Sequence, residues 1–506
     1  MVAHVFTAAP IGYEGAIVEV ECDTKKGLPT IQIVGMGTKS VEEAKDRVRS
    51  AVANSLLDFP SNKITINLAP AELIKEGAHY DLPIALSILV KSGQLRQAEV
   101  DGAVYAGELA LDGNLRPVKG TINIVQAAKQ AGLDKAYVPT ANLEQAMLIE
   151  GIEAIGVNSL KELYLHLKGE VPLSRLAAPS THPLHTQTVR SSPVLDDIYG
   201  QEQAKRALTI AVAGRHNILF TGPPGAGKTM LAKTLTALMP VLTPAEQIAV
   251  TKIHSLAGEI NGEIITDRPF RSPHHTTSPV ALIGGGAKPK PGEISLAHLG
   301  VLFLDEMPEY PRSVLEALRQ PLEDKRISVT RTAGRVIYPA DFMLVATMNP
   351  CPCGHLGDPS KECTCSSTQI LAYQKRLSGP LLDRIDLTVT VSRVPHDVLL
   401  REKTSENKQH LTAVEFINKA RNAQRERYKS SDIYNGSLSS DQVTRRLHIS
   451  PAARNLLVAA SERLGLSARS HFKVIKVAQT IADMEGASVI DTPHVSEALQ
   501  YRSQTP

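Results

Sequence analysis

Residues 217–239 read NILFTGPPGAGKTMLAKTLTALM, and this stretch decides the fold. A short apolar, strand-like run ends at Thr221, a glycine-rich turn follows, and a helix-like run opens at Lys228. The turn fits G-x-x-x-x-G-K-[ST] over Gly222, Pro223, Pro224, Gly225, Ala226, Gly227, Lys228 and Thr229. Glycines let the backbone curl until its N–H groups face phosphate oxygens, and the helix N-terminus adds partial positive charge. In such a loop the lysine reaches the β- and γ-phosphates and the hydroxyl residue ligates Mg²⁺. The pattern predicts an ATP and Mg²⁺ site on an α/β sheet.

Two further strands carry the matching chemistry. Val301-Leu-Phe-Leu-Asp305-Glu306 is an apolar run ending in two carboxylates. Asp305 is expected to hold Mg²⁺ and Glu306 to polarise the attacking water as general base. The run FMLVATMN ends in Asn349, a polar residue placed to orient that water or sense the γ-phosphate. Short apolar runs of this kind are buried parallel strands.

The chain around these motifs has 506 residues, enough for about three domains. Hydrophobic residues make up 42%, which excludes a disordered chain. Five cysteines exclude a disulfide scaffold, and no run of 18 apolar residues predicts a membrane span. The start, MVAHVFTAAPIGYEGAIVEV, lacks a basic region followed by an apolar one, so no signal peptide and a reducing, cytoplasmic setting are expected. Tryptophan is absent and aromatics are 4%, which weighs against stacking platforms for nucleic-acid bases. Any nucleic-acid contact would run on charge and backbone.

Composition divides the chain. Residues 1–170 alternate strand-like pieces (GAIVEVEC, TIQIVG, KITINLAP, AYVPTA) with helix-like ones (KSVEEAKDRVRSAVANSL, DLPIALSILVKSG, NLEQAMLIEG), a mixed α/β or α+β order. Residues 171–193, rich in Pro, Ser, Thr and His, read as a linker. Residues 194–395 alternate at α/β spacing, and 396–506 are helical, with Ser450-Pro451 and Thr492-Pro493 as helix starts. Residues 1–170 hold 16 basic and 21 acidic residues, a net of −5. Residues 171–395 hold 23 and 19, and 396–506 hold 16 and 12, each a net of +4. An anionic partner is therefore expected on the last two parts.

Four cysteines cluster as Cys351-x-Cys353 and Cys363-x-Cys365. Four thiolates bind Zn²⁺ tetrahedrally, and a loop this short can wrap the ion, with His355 able to replace one thiolate. Such an ion would brace the loop behind Asn349. Reduced, unliganded thiols and a redox role are the alternatives. Cys22, in a strand, reads as a small core residue.

Together the three strand-end motifs look like those of an AAA+ ATPase. The segments FRSPHHTTSPVALIGGGAKPKPGEISLAHLGVLFLDE, NPCPCG, GLPTIQIVGM, NSLLDFPSNKITINLAPAELIKEGAHYDLPIAL and GELALDGNLRPV resemble the magnesium-chelatase-like YifB/ComM family over nearly the whole chain. The resemblance implies an α/β AAA+ P-loop module with a helical lid, preceded by an α+β domain like that of Lon protease and ribosomal protein S5. It implies that Arg384, in Leu382–Asp386, is an arginine finger acting in trans within a homo-oligomeric ring, six-membered by expectation. Arg469, in Ser467-Ala468-Arg469, matches the lid's sensor-2 position and is expected to act in cis.

The long stretch between Lys228 and Asp305 then becomes a helix-2 insert with its tip at Gly284–Lys290. RISVTRTAGRVIYPADF, which reads as a hairpin turning at Thr332-Ala333-Gly334, becomes a pre-sensor-1 hairpin. In related motors both line a pore, which makes Lys288, Lys290, Arg331 and Arg335 candidate DNA-phosphate contacts. The paired His274-His275 matches a family signature without a chemical role that the sequence supplies. The first domain's likeness to Lon puts His79 at the nucleophile position and Ile122 at the lysine position, so no peptidase activity is expected. Ser87 and Lys119 lie nearby in sequence but not at matching positions, and His79 is expected at the surface or in packing.

The function implied is an ATP-driven motor on branched or single-stranded DNA: a branch-migration helicase in homologous recombination during natural transformation, with recombination proteins as partners. The alternative is a protein-remodelling ATPase whose first domain recognises the partner. A magnesium chelatase motor subunit is a third reading, set against by the Lon-like domain.

Overall fold

The computed structural model describes residues 2–173, 193–285, 290–331, 334–358, 361–395 and 408–502; of residues 330, 331 and 334 it describes the backbone. Most of the expected linker, Lys288, and the hairpin positions Thr332 and Ala333 lie outside the described residues. Among the described residues no helix is long and apolar enough to cross a membrane.

The first 170 residues build a seven-stranded mixed sheet in the order Thr30–Val34, Lys63–Ala69, Glu14–Lys25, Ala3–Ile11, Ala103–Tyr105, Lys135–Pro139, Glu153–Val157. Ala3–Ile11 and Glu14–Lys25 form an antiparallel hairpin, and the last three strands run parallel to Ala3–Ile11. Alternate side chains feed two cores. On one face Val5, Ala9, Val18 and Val20 meet the helix Asp81–Lys91; on the other Ala8 and Val104 meet the helix Thr121–Gln130. The sequence DLPIALSIL is buried on all sides, which is why it shows no polar face. Cys22 is a core residue, with its thiol pushed up to about 12 by burial.

The central part is a five-stranded parallel sheet, in the order Phe270–Arg271, Val301–Leu304, Met343–Met348, Ile218–Thr221, Leu387–Thr390. The strand ending before Asn349 lies between the strand of the phosphate loop and the strand of the two carboxylates. That insertion brings three motifs that are far apart in sequence to one edge. Ile218 and Phe220 pack toward the helices Glu202–Gly214 and Lys228–Leu238; Leu219, Leu302 and Leu344 pack toward the segment 310–318 and the hairpin. The hairpin itself, Arg326–Arg331 with Gly334–Pro339, pairs in register from Arg326↔Pro339 to Arg331↔Gly334. Gly334 therefore already belongs to the returning strand.

The C-terminal helices, Lys408–Tyr428, Ser440–Arg446, Pro451–Leu464, Ala468–Glu485 and Thr492–Gln500, share a core with the helix Glu202–Gly214. Ser450 caps its helix by accepting from the Ala453 N–H. The last helix differs from the sequence reading: Asp491, not Thr492, is its cap, because Asp491 Oδ1 accepts from the Thr492 N–H and from Ser450 Oγ.

The first domain is docked on the helix Pro244–Ala257. The Gly120 N–H donates to Ser255 Oγ (3.0 Å), and Lys252 donates to Gln126 (2.8 Å) from a position 4.1 Å above the Tyr13 ring. Gly12, in the first hairpin turn, lies so close to Val336 that a Cβ there would sit 2.2 Å from it. The first domain thus touches both the helix Pro244–Ala257 and the hairpin Arg326–Pro339.

Candidate nucleotide site and its arginine face

The loop Gly222–Thr229 connects the strand Ile218–Thr221 to the helix Lys228–Leu238. Gly222 passes under the Val391 carbonyl, where a Cβ would approach to 2.1 Å, and Gly225 and Gly227 have φ of +76° and +86°. Only glycine meets both demands at low cost. Lys228 turns inward, donating from Nζ to Gly222 O (2.5 Å), Pro223 O (3.0 Å) and Asn349 Oδ1 (3.0 Å). Burial pushes its ammonium pKa down, while Asp305 and Glu306 oppose the shift. A desolvated cation held by weak neutral acceptors is a receptor for an anion.

The carboxylates are organised by a residue that sequence reading missed. Thr347 Oγ1 donates to Asp305 Oδ1 (2.5 Å) and accepts from the Glu306 N–H (2.9 Å). Thr229 Oγ1 donates to Asp305 Oδ2 (3.2 Å). Glu306 sits in the left-handed region at φ +49°, and its side chain is exposed. The available signal was a hydroxyl near the end of an otherwise apolar strand, FMLVATM. The structure therefore brings together Lys228, Thr229, Asp305, Glu306 and Asn349.

Beside the loop lies a cavity of about 450 Å³. It is lined by Pro224–Gly227 of the loop, by Ile198, Tyr199, Met230 and Val394, and by the polar residues Asp197, Gln201 and Arg393. No sequence signal marked this wall. It comes from the segment after the linker, where Gln201 at φ +59° donates to Ser392 O, and from the residues after the last strand.

The loop after Asn349 packs onto the same place. The Sγ atoms of Cys351, Cys353, Cys363 and Cys365 lie within 4.8 Å of one another, with separations of 3.4, 3.6 and 3.6 Å among the first three. A disulfide needs about 2.05 Å. A Zn²⁺ tetrahedron with Zn–S of about 2.3 Å has edges of about 3.8 Å, so the four thiols fit such an ion. His355 is outside this set: its Nδ1 faces Asp358 Oδ2 at 3.3 Å.

Arg384 and Arg469 lie elsewhere. Arg384 is within 2.5 Å and Arg469 within 2.6 Å of Glu323 Oε1, and Arg384 holds the Glu323 carboxyl below its usual range. The surrounding cavity, about 560 Å³, is also lined by Arg215, Asn217, Asp341 and Asp386. These four precede the strands Ile218–Thr221, Met343–Met348 and Leu387–Thr390. They mark the N-terminal ends of parallel strands whose C-terminal ends carry the phosphate loop. A four-residue strand spans about 13 Å. Arg469 therefore lies, with Arg384, at the end of the sheet opposite its own chain's phosphate loop.

Of the candidate DNA contacts, Lys290 is exposed where it pairs with the strand Gly284–Gly285, which lies against Arg326–Arg331. Arg335 is exposed and donates to Ser328 Oγ (2.8 Å). Lys288 and the Arg331 side chain lie outside the described residues. His274 and His275 follow the edge strand Phe270–Arg271 and fold over the segment after Glu306: Tyr310 Oη donates to Pro273 O (2.6 Å), and the His275 ring meets the Tyr310 ring edge-on. Arg271 pairs with Glu259 and Glu293, tying the same strand to the insert.

In the first domain His79 is buried, with Nε2 3.1 Å from Ala8 O and a pKa lowered to about 4 by burial. Ile122 is in the core, Ser87 donates to Ile84 O, and Lys119 is exposed beside Gly258. Ser87 and Lys119 do not form a nucleophile–base pair.

Comparison with known proteins agrees with this geometry. Family models described as "Magnesium chelatase, subunit ChlI", "Subunit ChlI of Mg-chelatase" and "Magnesium chelatase, subunit ChlI C-terminal" match residues 194–399, 20–142 and 409–502. Competence protein ComM of Haemophilus influenzae is 42% identical over 512 residues, covering 99% of this chain and 97% of the relative. Uncharacterized protein YifB of Escherichia coli is 41% identical over 508 residues, covering 99% and 96%. Two local likenesses accompany these. Lon protease 2 of Bacillus subtilis is 31% identical over 139 residues, 26% of this chain and 25% of the relative. The Holliday junction branch migration complex subunit RuvB 1 of a Synechococcus is 29% identical over 170 residues, 32% and 36%.

Proposed function

This chain belongs to the magnesium-chelatase-like YifB/ComM family of AAA+ ATPases, and on that premise we propose that it is a cytoplasmic, ring-forming motor that moves branched or single-stranded DNA. Lys228 leaves the loop carbonyls to hold the β- and γ-phosphates of ATP. Thr229 and Asp305 would hold Mg²⁺, which supplies charge neutralisation at those phosphates. Glu306 takes the proton of the attacking water, and Asn349 orients that water. Thr347 keeps Asp305 and the Glu306 backbone in register.

The observation that carries the ring is the placement of Arg384 and Arg469 at the end of the sheet opposite the phosphate loop. Both arginines are then presented to a neighbouring subunit's nucleotide, so neither site is complete within one chain. We read a hexamer as the closed form. Six interfaces firing in turn would move the two hairpins, and Lys290 and Arg335, with Lys288 and Arg331, would draw phosphates along. The DNA reading is supported by the net charge of +4 on residues 171–395, the low aromatic content and the local likeness to the branch migration subunit. Recombination proteins are the partners such a motor would serve in natural transformation. The cysteine cluster would hold a structural Zn²⁺; protein purified in reductant and free of zinc overturns that part.

The test is ATP turnover with and without single-stranded, duplex, forked and four-way-junction DNA, alongside fluorescent strand displacement. Stimulation by branched forms with displacement, lost in Lys228→Ala, is the expected result. Turnover indifferent to every DNA and raised by unfolded protein selects the remodelling alternative.

A further inference from the structure

The cysteine loop does more than follow Asn349. Gly354, at φ +82°, lies against the phosphate loop so closely that a Cβ there would sit 2.6 Å from Pro224 Cδ. One residue on, His355 Nδ1 faces Asp358 Oδ2 at 3.3 Å. The Asp358 side chain is 1% exposed, and the same Oδ2 receives Arg393 at 3.4 Å. Arg393 lines the same cavity as Ile198, Tyr199 and Met230 and the loop residues Pro224–Gly227. A buried carboxylate thus joins the loop that the four cysteines wrap to a cation in the wall of the ATP cavity.

We propose that Arg393 is a nucleotide-binding residue that contacts the nucleoside half of ATP, and that the metal-loaded cysteine cluster positions it through His355 and Asp358. The coupling half rests on the zinc reading above; the Arg393 half does not. The physical reason is rotamer freedom. An arginine side chain loses rotamer entropy when it is held in one geometry, and a buried carboxylate that already holds it removes part of that cost before the nucleotide arrives. Asp358 can do so only while its own loop is ordered, and four thiolates on one ion supply that order. His355, free of any ligand role in this arrangement, supplies the second contact to Asp358. The nucleoside half is common to ATP and ADP, so both lose affinity together when Arg393 is lost. A contact to the γ-phosphate alone would act on ATP only.

The experiment uses the full chain and a fluorescent ADP or ATP analogue, with zinc measured on every sample. Arg393→Ala and Asp358→Asn are expected to weaken both nucleotides roughly tenfold, the scale of one charge-assisted hydrogen bond, at unchanged zinc content. In turnover, Arg393→Lys is expected to raise KM while leaving kcat in place. Stripping zinc from the wild type with a chelator is expected to weaken nucleotide binding, and the same treatment of Arg393→Ala is expected to add little, because the two act along one path. Unchanged affinity in both Arg393→Ala and Asp358→Asn at full zinc content overturns the role of Arg393. Equal losses on stripping wild type and Arg393→Ala overturn the coupling while leaving the zinc site intact. Absence of zinc from the wild type overturns the zinc reading and the coupling with it, and leaves Arg393 to be judged by its own variants.

Discussion

Arg384 and Arg469 lie side by side on one carboxylate oxygen of Glu323, at 2.5 and 2.6 Å, although one precedes the last strand of the sheet and the other opens a helix of the lid. Glu323 pairs with two guanidinium groups at the end of the sheet opposite the phosphate loop, and one positive charge stays uncompensated within the trio. Whatever brings a neighbour's triphosphate to this face must compete with Glu323 for both.

That arrangement makes a mixing experiment decisive. Arg384→Ala and Arg469→Ala should each bind ATP as the wild type does, with turnover lowered by about 10³ for the finger. Lys228→Ala should be inactive because its own loop is empty. Mixed one to one with Lys228→Ala, each arginine variant should regain turnover up to about a quarter of the wild type, since random assembly pairs a sound loop with a sound arginine at one interface in four. A regain for Arg384→Ala and none for Arg469→Ala would return Arg469 to a role within its own chain.

Within the site, Glu306→Gln should retain ATP binding and lose turnover by about 10²–10⁴. Thr347→Val keeps the shape but removes the hydroxyl that donates to Asp305 and accepts from the Glu306 N–H. It should lower turnover roughly tenfold through loss of Asp305 and Glu306 register, with nucleotide affinity changed little. Filter binding and phosphate release measured on the same samples separate the two effects.

The proposed DNA contacts make a salt-dependent prediction. Lys290→Ala with Arg335→Ala should lower DNA affinity for every sequence alike and reduce the slope of log affinity against log salt by about 1.4–1.8. Basal turnover without DNA should stay in place. An unchanged slope would remove these two residues from the phosphate path.

The buried histidines set an acid limit. Burial lowers the pKa of His79 to about 4, and that of His298 likewise to about 4. Unfolded histidine titrates near 6.5, so between those values the unfolded chain binds protons that the folded chain refuses. Stability should fall as pH drops from about 6.5 to about 4, by about 1.4 kcal/mol per pH unit per histidine, and the contribution should then level off. Urea midpoints at pH 7.5 and pH 5 read the slope, and His79→Gln should flatten it for the first domain.

The site was legible where chemistry and chain order coincide. The phosphate loop needs a strand, glycines and a lysine in one run, so Gly222 to Thr229 announce themselves. Asp305, Glu306 and Asn349 each end an apolar strand, and parallel strands place such ends on one edge. Thr347 was silent because a threonine in a strand is ordinary until its neighbours are known. Ile198, Tyr199, Gln201 and Arg393 were silent for another reason: they come from two segments that meet only when the strand Leu387–Thr390 joins the sheet beside Ile218–Thr221.

The sequence by itself determined the local alphabet of this protein: short apolar runs for the central strands, a buried helix at DLPIALSIL, a Ser450 cap, and a glycine-rich loop between a strand and a helix. Those depend on interactions within a few residues, which is what a linear pattern can encode. The tertiary structure alone decided which end of the sheet each charged group occupies. Strand order put Asn349 between Lys228 and Asp305, and the packing of the lid put Arg469 with Arg384 on Glu323 instead of over its own nucleotide. Loop closure over tens to hundreds of residues leaves no periodic trace in the chain, because its energy is spread across the cores that hold the ends together.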